Sequence, residues 1–257
     1  MTEPVIQLQQ IDKAFGSQSV LENVNLSIER GLVTSVIGKS GVGKSVMLKL
    51  IIGLLQPDGG EILFEGQALQ RMTRAAKRNF KAKCSYMFQS MALFDSLTIY
   101  ENIAMPLEEK SRLSNKEIGR RVGEKIEQLE LGEIAEKHPS QISGGMKKRV
   151  ALARALIIQP EIILFDEPTT GLDPVRKNSV YQMIQQYQQQ FNFTAVVVSH
   201  EIPDIFTISQ KVAMLDERRI VFEGEPAEIV KSTDPLVQRF IKGESPASPV
   251  TIDDFKV

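Results

Sequence analysis

The chain has 257 residues, of which 42% are apolar, so it can bury the core of one large domain. Its 31 basic and 32 acidic side chains give a net charge of −1, which offers no overall electrostatic reason to bind nucleic acid or an acidic membrane surface. The single cysteine, Cys84, excludes an internal disulfide and favours a buried strand position in a reducing compartment, by default the cytoplasm. Neither a signal peptide nor an apolar run of about 18 residues that could cross a bilayer is predicted.

The first part of the chain alternates short β-rich runs with turns. VIQLQQI, VNLSI and VTSVIG predict strands, and the last of these passes through a glycine-rich loop into the helical pattern KSVMLKLIIGLL. QPDGGEILFEG predicts a turn and another strand, and CSYMFQ predicts a strand that ends at Gln89. This order predicts a strand, loop and helix unit with β-structure on either side.

The glycine-rich loop GKSGVGKS fits the phosphate-binding pattern G-x-x-x-x-G-K-[ST] at every constrained position. Its glycines allow backbone N–H groups to face a phosphate, while Lys44 is expected to reach the β- and γ-phosphate oxygens and the Ser45 hydroxyl to bind Mg²⁺. A chance glycine turn is disfavoured because a strand and a helix flank the loop. The nucleotide-binding residues predicted here are Gly38, Lys39, Ser40, Gly41, Val42, Gly43, Lys44, Ser45 and Val46.

Residues 90–157 differ from the first part because helical periodicity replaces the strand pattern, as in NKEIGRRVGEKIEQLEL and GGMKKRVALARALI. Ser143 precedes Gly144 and Gly145, so a hydroxyl cap opens a helix whose free backbone N–H groups suit an anion. The basic run from Lys147 to Arg149 is assigned no specific contact and is expected to be a solvated face. We predict that this block is an inserted helical subdomain.

After Pro160 the alternation of strands and helices resumes. EIILFDE, TAVVVSH, KVAMLD and RIVFEG predict strands, a helix is expected from Pro174 to about Gln190, and a short helix is expected near IPDIF. Short apolar strands that alternate with helices predict an α/β fold with a largely parallel sheet covered on both faces. The tail from Gly243, GESPASPVTIDDFKV, is Pro- and Ser-rich and typical of a flexible end.

Polar side chains at the ends of these strands are expected to meet the phosphate loop. Asp166 would lie near Ser45 and hold Mg²⁺ directly or through water, which leaves Glu167 to polarise a water for attack on the γ-phosphate. An Asp-Glu pair after a strand is usually a solvated turn, but a phosphate loop in the same chain favours the catalytic interpretation. His200 ends TAVVVSH, and we expect it to contact the γ-phosphate or the attacking water.

Two further polar residues have weaker placements. Gln89 is predicted to bind the γ-phosphate and Mg²⁺ as a sensor whose movement reaches the inserted helices. The alternative interpretation of Gln89 is an ordinary loop amide. The alternative interpretation of His200 is a histidine with a structural role. His138, in EKHPSQ, has no placement near the strand ends and is taken as structural.

The order of these motifs, with SGG opening a helix and GLD after IILFDE, resembles the ATP-binding subunits of ABC transporters over roughly residues 5–230. The resemblance implies ATP and Mg²⁺ as cofactors and, in residues 1–89 and 158–230, a RecA-like core with an antiparallel β region. It also implies a helical subdomain in residues 90–157 and a C-terminal extension in residues 231–257.

The resemblance assigns two more residues and a second copy of the chain. Phe15 in KAFG matches the aromatic residue that stacks on adenine in the family; alternatively, it is a packed aromatic at a strand end. Asp173 in GLD matches the loop that contacts the other copy. Lys44 and Ser143 stand 99 positions apart, too far to share a ligand if the insertion forms a separate lobe. In the family, two copies pack head to tail, and each SGG helix closes on the γ-phosphate of the ATP held by the other copy.

A narrower resemblance concerns the transport system. FQSMALFDSLTIYENIAMPL, Met146 in SGGM and the extension beginning DPLVQRFIKG are similar to the ATPases of Mla/Mce-type systems, which move phospholipids between bacterial membranes. This implies a role in outer-membrane lipid asymmetry, at the cytoplasmic face of the inner membrane, with a permease, an MCE-type lipid-binding subunit and a small STAS-like regulatory subunit. We also hypothesise that VTIDDF in the tail docks on the neighbouring subunit.

Other functions remain as alternatives. The ATPase of a polar-solute importer would share most of these positions. A DNA-maintenance ATPase is disfavoured because the 99 positions between Lys44 and Ser143 leave no room for a long coiled coil and the heptads are missing. A small-molecule kinase has no use for SGG followed by GLD, and a scaffold without activity has no use for Glu167. Two positions, Lys39 and Met146, depart from the commonest family pattern without removing a phosphate donor.

Overall fold

The computed structural model describes residues 4–110 and 113–243. The strands in these ranges are β1 (Pro4–Phe15), β2 (Gln18–Glu29), β3 (Val33–Ile37), β4 (Gly59–Phe64), β5 (Gln67–Ala68), β6 (Cys84–Met87), β7 (Ile162–Asp166), β8 (Thr194–Ser199), β9 (Lys211–Asp216) and β10 (Arg219–Gly224). The α-helices are α1 (Lys44–Ile51), α2 (Arg74–Ala82), α3 (Ile99–Lys110), α4 (Asn115–Gln128), α5 (Gly144–Leu156), α6 (Pro174–Phe191), α7 (Pro226–Lys231) and α8 (Pro235–Ile241). The predicted α/β class is confirmed.

The larger sheet has six strands in the order β10-β9-β3-β8-β7-β6. All neighbouring pairs from β9 to β6 are parallel, and only β10 runs antiparallel, at the edge. Every residue of β3, β7 and β8 is buried, which explains why these strands are mostly apolar. Because β3, β8 and β7 are adjacent and parallel, the residues that follow them come together at one edge of the sheet.

Alternate residues of this sheet belong to two separate apolar clusters. In β7, Ile163 and Phe165 belong to the cluster that includes buried residues of α3, α4, α5 and α6. Ile162 and Leu164 belong to the cluster that contains α1 and the second sheet, an antiparallel one of order β2-β1-β4-β5. The sheet is therefore covered on both faces, as the apolar strands predict.

Between β6 and β7 the regular structure is helical, with Ser114 capping α4 and Ser143 capping α5 by accepting backbone N–H hydrogen bonds. The predicted division into a core, a helical subdomain and a C-terminal extension stays a prediction. VTIDDF and the rest of the tail beyond Gly243 lie outside the described residues. None of the helices described is both long and apolar enough to span a membrane.

Helix α2 is not predicted from the sequence; Thr73 caps it by accepting from the N–H of Ala76 at 3.2 Å. Four of the nine residues of α2 are basic, and its buried side depends mainly on Phe80. So few apolar residues give a weak helical pattern in the sequence. Strand β6 also ends two residues earlier than predicted, at Met87, so Gln89 lies in the exposed turn that follows.

Candidate active site

The GKSGVGKS loop joins the centre of the parallel sheet to the first turn of α1. Gly38 has a φ of 155°, and a Cβ there would lie 2.3 Å from the carbonyl oxygen of Leu215. Gly43, the residue before α1, has a φ of 112°, and a Cβ there would lie 3.0 Å from Cγ1 of Val20. Both positions therefore require glycine. The loop leads to the free N–H groups of the first turn of α1, which is the feature that suits a phosphate.

Lys44 lies under this loop and is only 4% exposed. Its Nζ donates to the carbonyl oxygens of Gly38 and Lys39, each at 2.8 Å, and lies 3.3 Å from Oε1 of Glu167. Burial lowers the pKa of Lys44, and the carboxylate of Glu167 opposes this in part. The cation is thus held at the loop by carbonyl groups and one carboxylate, where it can pair with an anionic ligand.

Ser45 and Asp166 meet as the sequence predicts. The Ser45 hydroxyl donates to Oδ1 of Asp166 at 2.6 Å, although 121 positions separate the two residues. The other carboxylate oxygen, Oδ2, accepts from the Tyr86 hydroxyl at 2.7 Å. Burial raises the pKa of Tyr86, and the hydrogen bond to Asp166 raises it further, so the phenol remains a donor. Tyr86 is a contact that the sequence analysis missed, because its role depends on β6 lying beside β7.

Glu167 follows β7 in a strained conformation. Its φ of 48° lies in the left-handed region, where a residue other than glycine is uncommon. Its backbone N–H donates to the carbonyl of Val198 at 3.1 Å, and its Oε2 accepts from the Thr170 hydroxyl at 2.8 Å. These bonds hold the carboxylate beside Lys44.

The charges around Glu167 keep it ionised. Burial alone would raise the pKa of Glu167, but the Thr170 hydrogen bond, Lys44 and His200 together bring it below its ordinary value. Nδ1 of His200 lies 3.1 Å from Oε2 of Glu167, and the side chain of Glu167 is 12% exposed. An ionised carboxylate with little solvent around it can act as a proton acceptor.

Lys44, Ser45, Asp166, Glu167 and His200 are therefore joined by direct contacts at one edge of the sheet. The register explains this, because Ile37 is paired with Ser199 and Asp166 with Val198 on the adjacent strands. We use the name catalytic cluster for these five residues. The predicted site residues outside the glycine-rich loop are separate from this cluster: among the described residues, no hydrogen bond or ion pair connects it to Phe15, Gln89, Asp173, Ser143, Gly144 or Gly145.

The SGG helix end is one of these separate positions, and it is exposed. Ser143, Gly144 and Gly145 are all exposed, and the Ser143 hydroxyl accepts from the N–H of Met146 at 3.3 Å. A Cβ added to Gly144 or Gly145 would find no other described heavy atom within 4 Å, beyond the chain neighbours and the backbone of its own helix. Space for a ligand or a partner is therefore present at this helix end.

Two more predicted residues are exposed. Phe15 is 48% exposed at the end of β1, with Nζ of Lys13 lying 5.3 Å from its ring centroid. Asp173 caps α6 by accepting from the N–H of Arg176 at 3.0 Å, beside Val175, which is 77% exposed. An exposed ring and an exposed apolar side chain are both suited to contact a ligand or a partner.

The expectation of a solvated face from Lys147 to Arg149 is wrong for Lys148. This side chain is buried, and its Nζ donates to the carbonyl of Pro168, the residue that follows Glu167. Burial lowers the pKa of Lys148, while the charge of Glu201 opposes this. Helix α5 is thus tied to the loop that carries Glu167, a contact that a run of three basic residues does not reveal.

Comparison with known proteins agrees with this geometry. A family model described as ABC transporter matches residues 21–170. The chain is 35% identical over 245 residues to the intermembrane phospholipid transport system ATP-binding protein MlaF of Haemophilus influenzae, covering 95% of this chain and 93% of that protein. It is 38% identical to the "Probable ribonucleotide transport ATP-binding protein mkl" of Mycobacterium leprae, covering 93% of this chain and 69% of that protein.

A solved structure with a similar fold is the dimeric post-hydrolysis state of the ATP-binding cassette MJ0796 bound to ADP and Pi. The TM-score is 0.75 and the sequence identity 32%, and the match covers 86% of this chain and 98% of that chain.

Proposed function

The chain belongs to the ABC transporter family and is an ATPase, and from this premise we propose that its cargo is phospholipid and its ATP site is completed by a second copy. One observation carries the proposal of a shared site. Lys44 and Asp166 of the catalytic cluster are buried, its other members are half-buried, and side-chain contacts join them, whereas the SGG helix end on the same chain is exposed. Each suits an anion, and neither contacts the other among the residues described.

The roles we propose for the catalytic cluster follow from its contacts. Lys44 and the loop N–H groups would bind the β- and γ-phosphates, and Glu167 would accept a proton from the attacking water. His200, 3.1 Å from Glu167, would orient that carboxylate and contact the γ-phosphate. The SGG helix end of the partner would supply further N–H donors to the γ-phosphate once the dimer closes.

The site also fits Mg²⁺. The Ser45 hydroxyl and the Asp166 carboxylate lie 2.6 Å apart and are the hard oxygen ligands that this ion prefers. When bound, Mg²⁺ would neutralise charge on the β- and γ-phosphates. We propose Ser45, Asp166 and, after movement of its exposed turn, Gln89 as the residues that hold it.

A groove between residues of the predicted helical subdomain and of the core can receive a membrane partner. Its volume is about 410 Å³, and exposed Leu54, Phe88 and Phe94 lie along it. The loop that carries Phe94 is fixed by Asn102, whose side-chain amide bonds to both the N–H and the carbonyl of Phe94. Arg154 of α5 donates to two carbonyls of the same loop. We propose this ordered apolar groove as the docking site of a permease.

Helix α5 connects the two ends of this mechanism. Its SGG end faces a second copy in the proposed dimer, and Arg154 lies eleven residues later, at the permease groove. At 1.5 Å per residue this separation is about 16 Å. A rotation of the helical segment during dimer closure would therefore move the groove. This proposal assumes the predicted division of the chain into a core (1–89 and 158–230), a helical subdomain (90–157) and a C-terminal extension (231–257).

Phospholipid is the proposed cargo because the MlaF resemblance extends over nearly the whole of both proteins. We therefore propose that the chain lies at the cytoplasmic face of a bacterial inner membrane and helps to maintain the lipid asymmetry of the outer membrane. Its partners would be a permease, an MCE-type lipid-binding subunit and a small STAS-like regulator, with no nucleic acid.

A Glu167→Gln variant tests the shared site. It should bind ATP as well as the unchanged protein, hydrolyse it about 10²- to 10⁴-fold more slowly, and accumulate as a dimer because the base is lost while the phosphate contacts remain. Light scattering with ATP and with ADP measures the dimer, and Glu133→Gln on the exposed surface is the control. A variant that stays monomeric with ATP would contradict the shared site.

The cargo is tested separately. The chain should co-purify from native membranes with its permease, and mass spectrometry of the complex should find bound phospholipid. Recovery of a polar-solute permease without lipid would contradict phospholipid as the cargo while leaving the ATPase mechanism intact.

A further inference from the structure

The net charge of −1 conceals an uneven distribution of charge along the chain. Between Gly66 and Phe94 the sequence has no acidic residue. The same stretch carries Arg71, Arg74, Lys77, Arg78, Lys81 and Lys83. The overall charge argues against binding to an acidic surface, but this segment has the opposite property.

Helix α2 places part of this charge on one face. Arg74, Arg78 and Lys81 follow the i, i+4, i+7 spacing of a helix face, and all three are exposed. Phe80 points the other way and is buried. We call the three exposed cations the basic face of α2.

The basic face differs from Arg71 and Lys83, the cations on either side of α2, which are paired with carboxylates. Arg71 forms an ion pair with Glu61 at 2.5 Å, and Lys83 forms one with Glu161 at 2.9 Å. Within the part of the chain that the structure describes, Arg74, Arg78 and Lys81 form no ion pair. Their charges are therefore available to an external anionic partner.

The basic face lies beside the proposed permease groove. It borders a cavity of about 990 Å³ that shares Ile52 and Lys81 with that groove, and whose lining includes one acidic residue, Glu109. A groove that receives a membrane protein must open towards the bilayer. The basic face therefore lies on the side of the molecule that approaches the membrane, an orientation that rests on the proposed function.

We propose that the basic face of α2 binds the anionic phospholipid headgroups of the membrane surface around the permease. Clusters of Lys and Arg on an amphipathic helix attract anionic lipids, and each cation near the surface adds roughly a factor of five to the binding constant. Because Phe80 is committed to the protein core, α2 binds by charge and does not insert an apolar face into the bilayer.

Sedimentation with vesicles tests this inference on the purified full-length chain. The probes are phosphatidylcholine vesicles with and without phosphatidylglycerol. The unchanged protein should bind only the anionic vesicles, and less well at high salt. The triple variant Arg74→Gln, Arg78→Gln and Lys81→Gln should bind them about 100-fold more weakly, since three cations are lost. Glutamine preserves helix propensity.

The control removes the same charge from another helix. Lys116→Gln, Arg120→Gln and Arg121→Gln change α4, where Arg120 and Arg121 are paired with Glu117, and should reduce vesicle binding no more than a few-fold. Equal losses in both triple variants would overturn the proposal. So would a lack of binding by the unchanged protein, which would make an acidic segment of the permease the better partner. ATP hydrolysis without vesicles, measured alongside, tests the proposed function separately.

Discussion

The two anion-binding ends of this chain are built in opposite ways. At the phosphate loop, Lys44 is 4% exposed and bonded on several sides, and Ser45 is bonded to Asp166. At the start of α5, Ser143 caps the helix, but Gly144 and Gly145 are exposed, with open space around both. The chain itself supplies the bonding partners at the phosphate loop, whereas the N–H groups at the start of α5 are open to a ligand or a partner.

This difference indicates which changes act within one copy and which act only between copies. A substitution in the catalytic cluster disturbs contacts that the chain already makes. A substitution at Gly144 or Gly145 removes no contact from the folded chain and should affect only the proposed dimer. Measuring ATP affinity and turnover separately therefore distinguishes the role of the phosphate loop from that of the SGG helix end.

The largest effect is expected from Lys44→Ala, which removes the buried cation of the phosphate loop. Loss of a charge-assisted bond to phosphate should weaken ATP binding about 10- to 100-fold, and turnover at saturating ATP should fall by a further 10²- to 10³-fold. Calorimetric titration and phosphate release measure the two quantities. Lys49→Ala, on the same helix, is the control. Unchanged ATP affinity would show that this loop is not the phosphate site.

Gly145→Val tests the exposed SGG helix end. Because a Cβ there meets nothing, the variant should melt at the same temperature as the unchanged protein and bind ATP equally well as a monomer. Turnover should fall about 10²-fold, since the valine would occupy the space that the partner's γ-phosphate needs. Gly123→Val, at an exposed position of α4 with equal room, is the control. Full turnover in Gly145→Val would argue for hydrolysis without a second copy.

The catalytic cluster could be predicted from the sequence because its motifs are local and each follows a strand. Gly38, Asp166 and His200 come directly after or at the end of apolar runs, and parallel neighbouring strands bring such ends together. The pattern does not state strand order, yet any parallel arrangement with these strands adjacent gives the same cluster.

Contacts between distant segments could not be predicted in this way. The burial of Lys148 depends on α5 packing against the loop after β7, and the bond from Tyr86 to Asp166 depends on β6 lying beside β7. Neither contact leaves a signal in the flanking residues. Helix α2 was missed because cations dilute its apolar pattern, which is the same property that gives it a basic face.

A smaller effect is expected from Lys148→Met, which tests the connection between the two ends. The carbonyl of Pro168 would lose its buried donor, so the free energy of unfolding should fall by about 1–3 kcal/mol, and turnover should fall about tenfold as Glu167 loses its fixed position. Lys148→Arg should recover part of the turnover, and Lys147→Met should change little. If stability falls without any change in turnover, Lys148 supports the fold and does not position Glu167.

The smallest effect is expected from Phe15→Ala, because this ring is exposed and contacts the catalytic cluster nowhere among the described residues. If Phe15 stacks on adenine, its loss should weaken ATP binding about two- to tenfold, the range that an aromatic stacking contact supports. The loss should be similar for ADP, because the base is the same, and turnover at saturating ATP should be unchanged. Phe15→Tyr keeps a ring and should keep the affinity. A drop in turnover at saturating ATP would instead place Phe15 in the packing of the β1 end, because stacking on the base acts on binding and not on the chemical step.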